Sequence, residues 1–60
     1  MKYQKEWRQY ILHREAHKGF EMFLRESNIR FYQRYCYKGY HEFSCYVNIW
    51  QENKVKDYLK

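Results

Sequence analysis

Apolar and polar positions alternate with a period of two over residues 29–50, which read IRFYQRYCYKGYHEFSCYVNIW. Side chains two apart share a face of a β-strand, so the period predicts two strands, over 29–37 and 43–50. A turn at Gly39 joins them, because glycine tolerates the positive φ of a tight turn. The odd positions form a mostly apolar face suited to a core: Ile29, Phe31, Gln33, Tyr35, Tyr37, Phe43, Cys45, Val47 and Ile49.

The even positions of the same segment combine cations with flat aromatic rings. The residues assigned to a binding face on this basis are Arg30, Tyr32, Arg34, Lys38, Tyr46 and Trp50. Odd-to-odd pairing keeps the apolar faces together and sets Phe31 near Cys45 or Val47. A slip by one residue would bury Arg30 and Arg34, so charge constrains the register.

Residues 2–18 contain neither Gly nor Pro, and aromatic side chains recur there at helical spacing. The pattern predicts an N-terminal helix that ends at Gly19, with His17 and Lys18 in its last turn. One stripe of this helix is expected to pack on the odd face of the sheet. The stripe consists of Tyr3, Trp7, Tyr10, Ile11 and Arg14.

Two interpretations fit residues 20–26. The alternation of Phe20, Met22 and Leu24 favours a strand that turns at Ser27 and Asn28, and a third strand would steady the hairpin. The alternative is a short second helix. We prefer the strand.

The last ten residues predict a short C-terminal helix or tail, because Val55, Tyr58 and Leu59 recur at i, i+3 and i+4. The predicted fold class is therefore α+β, with an N-terminal helix packed on a three-stranded antiparallel sheet in the order α-β-β-β, then the short helix. The alternative is two helices followed by a β-hairpin. Residues 1–60 are expected to form a single small domain.

The composition favours a folded, basic domain. Aromatic residues make up 23% of the chain, and 12 Lys and Arg against 7 Asp and Glu give a net charge of +5. That charge suits nucleic acid, an anionic membrane surface or an acidic protein. The chain shows no signal-peptide pattern and no apolar run of membrane-spanning length. We therefore expect a cytoplasmic protein with no membrane partner and with two reduced cysteines.

The even face indicates a function, because rings can stack on bases while cations bind phosphates. We expect a small non-enzymatic protein that binds RNA or single-stranded nucleic acid. Phosphates would be bound by Arg30, Arg34 and Lys38, and bases would stack on Tyr32, Tyr46 and Trp50.

A protein partner is the alternative, since Tyr, Trp and Arg dominate interaction hot spots. In general character the chain resembles the compact inhibitors that phages and other mobile elements use to block host proteins, including enzymes that process nucleic acid. The open edges of so small a sheet also allow a homodimer with a continuous six-stranded sheet.

Metal binding and catalysis are weighed as minor alternatives. His13 and His17 have a spacing that could ligate a metal, with His41 and the cysteines Cys36 and Cys45 as further ligands, but no CxxC pair is present. For metal-independent cleavage of RNA, the candidate residues are Arg34, Tyr40, His41 and Glu42. We expect no metal, no cofactor and no enzymatic activity.

Overall fold

A computed structural model describes residues 4–60. Its elements are β1 (Glu6–His13), α1 (Arg14–Glu26), β2 (Arg30–Tyr35), β3 (Tyr40–Val47) and α2 (Ile49–Leu59). The strands form one antiparallel sheet in the order β1-β3-β2, so the last strand is central. The predicted α+β class and three-stranded antiparallel sheet are confirmed. The predicted order α-β-β-β is wrong, as is the alternative of two helices before a hairpin, because the chain runs β-α-β-β-α.

The predicted N-terminal helix is wrong where β1 lies. Trp7, Tyr10 and Ile11 fit a helical stripe, but aromatic and β-branched residues also favour a strand, and here pairing with β3 decides. The strand pairs without interruption from Glu6 opposite Val47 to His13 opposite Tyr40. The stripe is consequently divided between the two faces of the sheet, with Tyr10 on one and Trp7 and Ile11 on the other. Tyr3, the first residue of that stripe, lies outside the described residues.

Helix α1 passes through Gly19 instead of ending there. The preferred strand over 20–26 is therefore wrong. These residues are helical, as the alternative proposed, but they belong to one helix that begins at Arg14 and not to a short second helix. Phe20 and Leu24 are buried one turn apart on its inner face. Gly19 has a packing role, because a Cβ at this position would lie only 3.0 Å from the hydroxyl of Tyr58 in α2.

The predicted hairpin is confirmed in register and corrected in length. The pairing is odd to odd, and of the two expected partners of Phe31, Cys45 and Val47, the structure has Cys45. Strand β2 is shorter than the predicted 29–37, since it ends at Tyr35, and β3 lies closer to the turn than the predicted 43–50, since it begins at Tyr40. Lys38 and Gly39 take positive φ values of 55° and 83° in the turn between them.

The strand predicted over 43–50 ends early, because helix α2 already begins at Ile49. The side chain of Asn48 accepts a hydrogen bond from the Gln51 backbone N–H at 2.8 Å, and the Gln51 side chain accepts one from the Asn48 N–H at 3.0 Å. This reciprocal capping box starts a helix at Ile49. Trp50 therefore lies in the first turn of α2 and not on β3.

Both helices pack on the same face of the sheet. Phe20 of α1 contacts Phe43 of β3 edge to face, with ring centroids 4.9 Å apart, and Phe23 stacks on Tyr58 of α2 at 4.4 Å. The buried core is shared by β1, α1, β3, α2 and the loop before β2: Leu12, Phe20, Leu24, Ile29, Phe43, Cys45, Val47 and Val55. Phe31 of β2 packs against it while partly buried. Within the described residues, the opposite face of the sheet contributes no residue to this buried core.

Neither helix in residues 4–60 is long and apolar enough to cross a bilayer. Both cysteines are free thiols, with Cys36 exposed and Cys45 in the core. Burial disfavours the thiolate and raises the pKa of Cys45 to about 11. Cys45 is therefore a packing residue at neutral pH.

Candidate nucleic-acid interface

The sheet face turned away from both helices, here called the open face, carries side chains from all three strands. Residues opposite one another in the pairing register point to the same side, which assigns the members. The open face consists of Trp7, Gln9, Ile11 and His13 from β1, Arg30, Tyr32 and Arg34 from β2, and Tyr40, Glu42, Ser44 and Tyr46 from β3. Four of the six predicted site residues therefore share one surface.

Three rings form an aromatic cluster at one end of the open face. Trp7 stacks on Tyr32 with centroids 5.5 Å apart and packs on Tyr46 at 4.9 Å. Trp7 is on β1 and Tyr32 is on β2, so their contact crosses the central strand β3, where Ser44 has only a short side chain. Trp7 is 46% exposed and Tyr32 is 59% exposed. Each ring thus supports its neighbour while keeping a large surface for a ligand.

Positive charges border the aromatic cluster. The Lys5 ammonium lies 5.9 Å from the centroid of the Tyr46 ring, a distance at which a cation is attracted to the ring face. Arg30 lies beside Tyr46 in the register, is exposed, and forms no ion pair with any acidic group of residues 4–60. Its guanidinium is available to an anion.

An ion pair occupies the middle of the open face. Arg34 lies 2.8 Å from Glu42, which is only 15% exposed, whereas the Arg34 side chain is 75% exposed. In the described strands, Glu42 is the one carboxylate on this face. It orients Arg34 and also opposes the approach of a phosphate. Glu42 therefore weakens the positive potential around Arg34.

Two predicted site residues do not belong to the strands that form the open face. Lys38 is in the hairpin turn, where its ammonium sits 5.4 Å from the centroid of the Tyr37 ring. Trp50 is on α2, as described above. The structure instead adds Trp7, which belongs to the open face, and Lys5, which lies beside Tyr46. The prediction of an N-terminal helix did not include either residue in the site. The available signal was the content of aromatic and β-branched residues in 7–12, which favours a strand.

One of the four residues considered for RNA cleavage is separated from the others, because Arg34, Tyr40 and Glu42 share the open face and His41 does not. His41 points to the helix side of the sheet and Glu42 to the open face, because they are neighbours in β3. His41 instead stacks on His17 of α1 with centroids 3.7 Å apart. Burial, and secondarily the charge of His17, lower the pKa of His41. The pair is held by a hydrogen bond from His17 Nδ1 to the Arg14 carbonyl and one from the Gln33 amide to His41 Nδ1.

The residues considered for metal binding do not assemble into one site. His13 contacts Tyr40, with ring centroids 5.2 Å apart, whereas His17 stacks on His41. Cys45 is in the core and Cys36 is exposed. Within residues 4–60 no three His, Cys, Asp or Glu side chains are grouped as a metal site would require.

The described part of the chain encloses no pocket. No protein family model, curated protein or solved structure matches the chain. The open face is therefore the feature from which a function can be argued.

Proposed function

We propose that this protein is a small, non-enzymatic binding protein whose open face binds RNA or single-stranded nucleic acid. The observation that carries the proposal is the aromatic cluster of Trp7, Tyr32 and Tyr46 with Lys5 and Arg30 at its border. Flat rings next to cations match the two repeating parts of a nucleotide, the base and the phosphate. The net charge of +5 adds a general attraction to a polyanion.

The geometry favours a single strand over a duplex. The rings of the cluster lie on a sheet face and can stack only on bases that are unpaired and turned outward. Arg34 is four residues along β2 from Arg30, a separation of about 13 Å at roughly 3.3 Å per residue. The surface therefore suits a short extended segment, with bases on the rings and phosphates near Arg30, Arg34 and Lys5. Lys38 at the hairpin turn adds a charge for a longer strand.

A matched pair of charge variants tests the proposal. Arg30→Gln removes a cation from the open face, and Lys54→Gln removes one from an exposed position of α2. Fluorescence anisotropy of a labelled, mixed-sequence RNA oligomer at several salt concentrations measures both. Each phosphate contact to a single strand contributes about 0.7 to the salt slope, so Arg30→Gln should flatten the slope by about that amount. Equal slopes in the two variants would contradict the assignment.

A protein partner is the second candidate, and exposed Ile11 favours it. This side chain is 64% exposed on the open face, on the same strand as Trp7 and beyond Gln9, and an aliphatic group gives little to a phosphate or base. Apolar, aromatic and Arg side chains together are typical of a protein-binding hot spot. Such a protein could act as an inhibitor of a host enzyme that processes nucleic acid. Affinity copurification with and without nuclease separates the two: a stoichiometric protein that survives nuclease, and that Trp7→Ala loses, supports the inhibitor.

A further inference from the structure

Strand β1 presents an open edge that lacks the usual protection in its second half, whereas near its beginning the Arg8 guanidinium donates a hydrogen bond to the Trp7 carbonyl at 3.2 Å. It pairs with β3 on one side over eight residues with no bulge, and within residues 4–60 no strand lies on its other side. Natural edge strands carry a central charge, a proline or a bulge that prevents association. Residues 9–12 of β1 read QYIL and are uncharged. The outer edge of β1 is therefore a template for another strand.

We propose that two copies of this chain pair antiparallel through the outer edges of β1 and form a continuous six-stranded sheet. The register follows from the side-chain pattern. With a two-fold axis at Gln9, Trp7 of each copy lies opposite Ile11 of the other. Because such a register pairs odd with odd positions, the open faces of both copies lie on the same side.

The apolar pairs supply the contacts that favour this register. Ile11 and Trp7 are both large and exposed in the single chain, and aromatic with β-branched residues are favourable cross-strand pairs. The charges of β1 lie toward its beginning and are already neutralised within the chain. Arg8 contacts Glu6 at 2.7 Å and Glu52 at 3.1 Å. No like charges therefore meet at the centre of the new pairing.

The edge of β2 is less suitable for the same association. That strand has six residues, and a two-fold axis at Tyr32 would bring Arg30 of each copy opposite Arg34 of the other. Like charges directly opposite one another destabilise a sheet. The chain thus has one edge that favours a second copy and one that opposes it.

The dimer would join two open faces into one surface, twice as wide, for a longer ligand. Its formation does not depend on the proposed nucleic-acid binding, because it is measured on the protein alone. Edge pairing buries less surface than a standard interface, so a micromolar dissociation constant is expected.

Sedimentation equilibrium over a range of protein concentrations tests the proposal. The average mass of the wild-type protein should rise from one chain toward two. Gln9→Lys and Gln9→Glu should each lose the dimer, since like charges then face each other across the axis. An equimolar mixture of these two variants should recover it. Gln9→Thr, which adds no charge, should dimerise like the wild type.

Circular dichroism of each variant checks that the fold is kept. A mass of one chain at every concentration of the wild type would overturn the proposal. A dimer that Gln9→Lys leaves intact would overturn it equally, because association would then use another surface.

Discussion

The indole ring of Trp7 stacks on the phenol ring of Tyr32, with centroids 5.5 Å apart and planes inclined by 28°. The two residues lie on opposite edge strands, so their contact bridges the sheet above β3. It joins a strand from before α1 to one from after it. The contact therefore contributes to the fold and prepares a surface for a flat ligand at the same time.

The two tryptophans provide a direct optical test of the aromatic cluster, because Trp7 belongs to it and Trp50 lies on α2. In Trp50→Phe the remaining indole is Trp7, and added RNA should quench its fluorescence by stacking. In Trp7→Phe the remaining indole should keep its emission. A base stacked on an aromatic side chain is worth roughly 1 to 3 kcal/mol, so Trp7→Ala should lower the affinity for RNA accordingly. Equal quenching in both Phe variants would contradict the role of Trp7.

Glu42→Gln should strengthen binding to RNA. The substitution removes the carboxylate that lies 2.8 Å from Arg34 while keeping a side chain of similar size. Arg34 is then available to a phosphate, and we expect a gain of about threefold or more in affinity at low salt. The free energy of unfolding should fall by less than about 1 kcal/mol, since ion pairs of exposed arginines contribute little. Anisotropy titration and urea denaturation measure the two effects, and an unchanged or weaker affinity would argue against Arg34 as a phosphate ligand.

Gly19 and Tyr58 should be energetically coupled. Alanine in a helix interior is more favourable than glycine by about 1 kcal/mol, but a methyl group at residue 19 would press on the Tyr58 hydroxyl 3.0 Å away. Gly19→Ala should therefore stabilise the Tyr58→Phe variant more than it stabilises the wild type. Urea denaturation of the four proteins gives the coupling free energy, which we expect to be about 0.5 kcal/mol or more. Equal effects in both backgrounds would show that the hydroxyl moves aside freely.

Stability should decline in mildly acidic solution because of His41. Its pKa is lowered from the ordinary value of 6.5 by burial and by His17, so the unfolded chain binds a proton more readily than the folded one. The stabilising contribution is complete above about pH 6.5 and is lost as the pH falls toward the lowered pKa. Groups that face His41 are His17 from α1 and Gln33 and Tyr35 from β2.

Thermal unfolding at a series of pH values checks this expectation. His41→Gln should reduce the decline in melting temperature between neutral and mildly acidic pH. His13→Gln is the matched control, because it removes a histidine on the opposite face of the sheet. The same pH dependence in the wild type and in His41→Gln would contradict the assignment.

The hairpin could be predicted from the sequence, whereas the first half of the chain could not. In 29–50 a period of two coincides with a charge pattern that requires odd-to-odd pairing, so Phe31 was expected near Cys45 or Val47, and it pairs with Cys45. In β1 apolar residues occur on both faces, with Tyr10 and Leu12 on one side and Trp7 and Ile11 on the other. Such a segment shows no clean alternation, and the preference for a strand comes from pairing with the distant β3.

The candidate site was predictable to the same extent as its strands. Arg30, Tyr32, Arg34 and Tyr46 were placed on one face because they belong to the hairpin. Trp50 was misplaced because the capping signal of Asn48 and Gln51 was read as a continuing strand. Trp7 was missed because Gly19 was interpreted as the end of a helix that included Trp7. The helix instead begins at Arg14 and continues through Gly19. The contact with Tyr58 that explains this glycine depends on tertiary structure.

The most direct test of the open face as the binding surface is an NMR titration of isotope-labelled protein with a single-stranded RNA oligomer. We expect chemical-shift changes along β1, β2 and β3 at Trp7, Arg30, Tyr32 and Tyr46, with little change in α1 and α2. The two indole N–H signals serve as internal reporters: that of Trp7 should move and that of Trp50 should not. Shifts confined to the helices, or no shifts at low salt, would contradict the account.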